Sequence, residues 1–164
     1  MNTLLLIIGI LLLTATLLLL VWQKFPASAT AFLALVALHF STYICLPMST
    51  FLFWGAAMLI VLIIDRLSPR NAPKAVTSGN AFLAVGAIAG MLLGMSVDPS
   101  IMVLCTAIGT IFGQLIYCRT PKGRWIKFPS SAFIHYFCAR GLKTIVAVAI
   151  IGIALEGFIT NIAR

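Results

Sequence analysis

Residues 79–117 read GNAFLAVGAIAGMLLGMSVDPSIMVLCTAIGTIFGQLIY. Two apolar runs flank Asp98-Pro99-Ser100, a group of residues suited to a tight turn. Gly86, Gly90 and Gly94 recur every four residues on the first run, and Gly109 and Gly113 do so on the second. Helical positions four apart share a face, so each set lines one side of its helix. Lipid tails are as apolar as leucine, so helices in a bilayer associate by close packing, and glycine at this GxxxG spacing lets two backbones approach. Counted from Pro99, Gly90 lies nine residues back and Gly109 ten forward, while Gly86 and Gly113 lie thirteen and fourteen away. This match in depth predicts a glycine-rich antiparallel helical hairpin with the two glycine faces together. Contact between protomers, or a glycine-lined pore or groove, are the other readings of the same glycine zipper.

The whole chain has the composition that such a hairpin requires. Of its 164 residues, 62 % are hydrophobic and only 9 % are charged, too few polar side chains to cover a water-soluble globule. A span needs about 20 apolar residues to cross a hydrocarbon core of about 30 Å, so this length allows at most about six spans. The expected fold is all-α: a polytopic transmembrane bundle of about six spans in a single integral membrane domain, residues 1–164.

The spans follow from the apolar runs. The first covers about residues 3–22. No basic residue precedes it and it is longer than a secretory signal core, so it reads as a retained span even though Ala27-Ser28-Ala29 resembles a cleavage site. The run from Ala27 to Ile64 is too long for one span, and Pro47, Ser49 and Thr50 offer a turn. It is therefore divided into 27–46 and 50–64, or else taken as partly re-entrant. The remaining spans are 79–97, 101–117 and 143–160, separated by basic loops at 65–78 and 118–142. Placing Lys24 and both loops, with Lys143, in the cytoplasm puts ten of the eleven basic residues inside and leaves Arg164 opposite. The positive-inside rule then predicts both termini outside.

Few residues suggest chemistry. His39 falls within the second span, with Tyr43 one turn later on the same face. An ionisable group inside a membrane is a functional candidate by default, although a neutral histidine needs only a hydrogen-bond partner. Gln114, deep in the fifth span, is suited to bonding neighbouring helices. Asp65 and Arg66 mark the inner boundary of the third span. Arg119, Lys122, Arg124 and Lys127 interleave with Trp125, a pattern that suits anionic lipid headgroups beside a membrane span better than nucleic acid. Phe133, Ile134 and Phe137, with His135 and Arg140, suggest an amphipathic interfacial helix. Cys45, Cys105, Cys118 and Cys138 form no metal-ligand pattern and read as small buried side chains, with a Cys45–Cys105 disulfide left open. With three acids in the chain, no catalytic triad, carboxylate pair or phosphate loop stands out, and no catalytic residue, metal or cofactor is expected.

The order of features resembles the domain of unknown function 456 family of bacterial membrane proteins over nearly the whole chain. The resemblance rests on Ser78-Gly79 through Gly86-Ala-Ile-Ala-Gly90 and Gly94, on Gly109-Thr-Ile-Phe-Gly113-Gln114, and on Lys143 entering the last span. It implies this architecture in a bacterial inner membrane and carries no activity. Family members usually have a glutamate where this chain has Gln114, so a role that needs a titratable carboxylate there does not carry over.

Two functions are expected from different classes. The first is a non-enzymatic structural or accessory membrane component, packed through its glycine faces, that contacts lipids and a second copy or another membrane protein. The alternative is a small-solute or ion transporter or channel using His39 and Gln114. A lipid-handling enzyme acting through His135 has the least support.

Overall fold

The computed structural model describes residues 2–22, 27–41, 47–67 and 79–162. Among them the chain is α-helical, with no strand. The elements are α1 (Asn2–Trp22), α2 (Ala27–Phe40), α3 (Met48–Leu67), α4 (Asn80–Met95), α5 (Pro99–Arg119), α6 (Ser131–Tyr136) and α7 (Leu142–Ile162). A π-helical segment, Phe137–Gly141, joins α6 to α7 without a break. Three helical stretches are long and apolar enough to cross a membrane: Thr3–Trp22, Pro99–Arg119 and Ser131–Asn161. The apolar helices Ala27–Phe40, Met48–Ile64 and Asn80–Met95 are shorter.

Helix α7 is the hub. Val146 through Ile151 are buried without interruption, and α7 touches each of α1 to α5. A helix that is apolar on every side is stable where neighbours surround it, and here the small residues Ala147, Ala149, Gly152 and Ala154 let those neighbours close in. Met91 of α4 and Met102 of α5 both reach Gly152. The outer helices instead expose one apolar face, with Leu4, Leu11 and Leu18 on α1 and Val85, Leu93, Ile108 and Phe112 on α4 and α5. A surface of this kind is compatible with hydrocarbon and costly in water.

Neighbouring helices pair in opposite directions. Gly9 of α1 lies against Leu38 of α2, while Thr16 and Thr30 share a hydrogen bond of 3.2 Å nearer the connecting segment. On the other flank, His39 of α2 meets Phe51 of α3, ring to ring at 4.6 Å, and Gly55 faces Phe32.

Several boundaries differ from the sequence reading. The third helix begins two residues earlier than expected and runs on through Asp65 and Arg66 to Leu67, because charged residues end an apolar run without ending a helix. The helix is 20 residues long, of which Met48–Ile64 is the apolar part. The largest difference is at the C-terminal span. The expected start was residue 143, but the helix begins at Ser131, where the Ser130 hydroxyl accepts a bond from the Phe133 N–H at 3.2 Å and caps it. The polar residues His135 and Arg140 interrupt the apolar run and suggest a separate interfacial helix, but the helical backbone continues through them into α7.

Candidate functional site

The chain's most constrained feature is the seam between α4 and α5. The missing side chains of Gly86 and Gly109 each face the other's carbonyl group. Gly90 faces the Cys105 carbonyl, Gly94 the Met102 backbone, and Gly113 the Phe82 carbonyl. A Cβ added at Gly90 would lie 2.7 Å from the Cys105 carbonyl carbon and 3.1 Å from Thr106 Cα. No described glycine has a positive φ, so these positions need glycine for space and not for backbone conformation. The polypeptide turns at Asp98, which is extended, with Pro99 opening α5. The glycines therefore meet within one chain.

On the outward flank of the seam lies an apolar groove of about 620 Å³. Gly86, Gly90, Gly109 and Gly113 form its floor, and Phe82, Val85, Leu93, Ile108, Phe112 and Ile116 are among its walls. Neither His39 nor Gln114 lines it.

The inward flank of α5 carries a column of polar side chains one turn apart. Thr106, Thr110 and Gln114 are fully buried. Thr106 donates to the Met102 carbonyl and Thr110 to the Thr106 carbonyl, both at 2.7 Å. Gln114 donates through Nε2 to the Phe133 carbonyl at 2.9 Å, tying α5 to the first turn of α6. Its Oε1 has no hydrogen-bond partner, nor has either amide atom of buried Asn80 at the start of α4 or the hydroxyl of Ser28.

Next to Gln114 is a second, smaller core of Leu83, Tyr117, Ile126, Phe133 and Tyr136. The rings of Tyr117 and Tyr136 stack at 5.9 Å. Gly79 fits beneath them, where a Cβ would lie 2.7 Å from Tyr117 Cε1 and would also meet the Tyr136 hydroxyl. Arg140 lies within electrostatic reach of Tyr136. The π segment sits at this same place, and π-bulges are often found at functional positions.

The structure separates the two intramembrane polar candidates. His39 is half-buried between Phe40 and Phe51 at the end of α2, whereas Gln114 is at the junction of α5 and α6. Tyr43 lies outside the described residues. Arg119, Lys122, Arg124, Trp125 and Lys127 are all exposed. Their loop is anchored, because buried Ile126 inserts into the smaller core while Thr120 bonds back to the Tyr117 carbonyl at 2.7 Å. Phe133 and Tyr136 point inward and Ile134 outward, so the expected interfacial helix is the opening of the last long helix. Cys105, Cys118 and Cys138 are free thiols, and Cys105 therefore forms no disulfide with Cys45, which lies outside the described residues. Among the described residues no three His, Cys, Asp or Glu side chains gather as a metal site would require. Asp98 and Glu156 lie within electrostatic reach of each other at the opposite end of α5 and α7.

Thr106 and Thr110 are absent from the sequence-based candidates, although their spacing of four from Gln114 was a usable signal. Asn80 and the Tyr117–Tyr136 pair were also missed. The tyrosine pair had no local signal, since it depends on α5 meeting α6. No family model matches this chain, and neither the curated proteins nor the solved structures compared with it include a match.

Proposed function

We propose that the chain is a non-enzymatic, six-span integral membrane component of structural or accessory role, related to the domain of unknown function 456 family and resident in a bacterial inner membrane. Six passes are supported by the opposite directions of α1 and α2, α2 and α3, and α4 and α5, followed by the return of the chain through α6 and α7. The apolar outer faces are the lipid contacts. Arg119, Lys122, Arg124 and Lys127 stand on the cytoplasmic side, and Asp98, Glu156 and both termini on the other. The observation that carries the accessory role is the α5 column: buried Thr106 and Thr110 return their hydroxyls to carbonyls of α5 itself, and buried Gln114 donates across to the Phe133 carbonyl, so the donors of the column are used within the protein and Gln114 ties α5 to α6.

One observation favours transport of a small solute instead. The unpartnered atoms of Asn80 and Gln114 lie near the same end of α4 and α5, and buried polar groups without partners call for an explanation. Water access distinguishes the two readings. With the four native cysteines replaced by alanine, Thr110→Cys should resist a small thiol reagent in intact membranes, while exposed Lys122→Cys reacts readily. Comparable labelling of both would overturn the accessory reading in favour of a solute path.

A further inference from the structure

We propose that the groove between α4 and α5 holds one acyl chain of an anionic phospholipid from the cytoplasmic leaflet, with the phosphate drawn to Arg119. The proposal rests on the membrane topology given above. The groove exists because the seam glycines supply no side chains, so Phe82, Val85, Leu93, Ile108, Phe112 and Ile116 stand as walls around an empty strip. Its volume of about 620 Å³ falls within the ~300–1,000 Å³ of ordinary ligand sites. An unfilled concavity would forfeit the dispersion contacts of its lining, and inside a bilayer the available filler is hydrocarbon chain.

Length and charge narrow the occupant. From Cys105 to Ile116 the groove follows α5 for about 16 Å at the helical rise, close to the ~15 Å depth of one leaflet in a ~30 Å core. Its end at Phe82 and Ile116 lies toward the basic end of α5. Arg119 is three residues beyond Ile116 on the same face and is exposed, and Lys122, Arg124 and Lys127 follow in the adjoining loop. Two of the chain's three acids, Asp98 and Glu156, lie at the far end. Clustered Lys and Arg next to a span attract anionic headgroups. A second copy fits this face less well, because a symmetric pair would bring two such clusters together on one side of the membrane.

The test uses the full chain in mild detergent, offered dioleoyl phosphatidylglycerol or dioleoyl phosphatidylcholine and read by native mass spectrometry. The parent should retain one phosphatidylglycerol under activation that strips other lipids. Ala89→Phe places a ring in the groove on its exposed side, away from the seam, and should lower retention by at least about tenfold, since each displaced methylene weakens burial of the chain. Arg119→Gln should lower phosphatidylglycerol retention about fivefold and leave phosphatidylcholine unchanged. Unaltered helical circular dichroism separates loss of lipid from loss of fold. Equal retention by the parent and Ala89→Phe overturns the proposal. So does a parent dimer that Ala89→Phe dissociates, which would assign the groove to a second copy. Either failure leaves the topology reading standing, because reporter fusions test that independently.

Discussion

Replacing Gly90 with alanine adds a single methyl group at the narrowest part of the α4–α5 seam. In an ordinary helix interior this change is favourable by about 1 kcal/mol through helix propensity, so the experiment begins biased toward stabilisation. At Gly90 the new Cβ would stand 2.7 Å from the Cys105 carbonyl carbon and 3.1 Å from Thr106 Cα, against about 3.5–4.0 Å for unstrained carbon contacts. Both obstacles are backbone, so no rotamer change relieves the overlap and the helices must part by about 1 Å. A gap of that size forfeits about a quarter to a half of each affected contact. Gly86 against Gly109 and Gly94 against Met102 share the displacement. Overpacking costs about 1–3 kcal/mol, and the upper half of that range, about 2–3 kcal/mol, applies where both obstacles are backbone, which leaves a net loss of about 1–2 kcal/mol after the propensity gain.

Reversible unfolding in mixed detergent, followed by circular dichroism, measures this loss. Two further substitutions calibrate it. Gly152→Ala meets Met102 Sδ at 2.5 Å and Met91 Cγ at 3.0 Å, parts of flexible side chains that can move aside, so it should cost less. Gly55→Ala meets only the Phe32 ring at 3.4 Å and should be neutral or stabilising. A Gly90→Ala protein as stable as the parent, or indistinguishable from Gly55→Ala, would refute the seam as the origin of the glycine spacing.

Other substitutions test the buried polar groups and the helix cap. Asn80→Leu should be neutral or stabilising in the same unfolding assay, because neither amide atom has a hydrogen-bond partner to lose and an apolar side chain of similar size avoids burying it; a loss above about 1 kcal/mol would mean the amide is bonded in the membrane. Gln114→Leu removes the bond to the Phe133 carbonyl and should cost about 1 kcal/mol, with unchanged stability counting against that tie. Ser130→Ala deletes the side-chain cap of α6 and should cost about 1 kcal/mol, visible as faster amide exchange at Phe133 and Ile134; exchange at the parent rate would contradict the cap.

Much of the helical architecture was legible because apolar runs of span length have few alternatives, and the four-residue glycine interval pointed to close packing. Other features were hidden for identifiable reasons. An apolar run reports where hydrocarbon contact ends, whereas a helix ends where its backbone bonds end, so the segment from Ser131 through Arg140 read as a separate interfacial helix within the basic region and not as the start of the last long helix. The central position of α7 was implicit in its all-round apolarity and small residues, but α1 is more apolar still and lies outside, so composition alone did not separate hub from rim. His39 and Gln114 were both singled out as polar groups inside apolar runs. Their separation, and the stacking of Tyr117 on Tyr136, depend on tertiary contacts between elements far apart in sequence.

Fusions of a fluorescent protein that matures only in the cytoplasm test most directly whether the chain forms the proposed six-span bundle with its basic end in the cytoplasm. Fused after Arg164 it should be dark, and inserted at Lys122 it should be bright. A bright fusion after Arg164, with the Lys122 insertion also bright, would place the C-terminus on the basic side and contradict the six-span account.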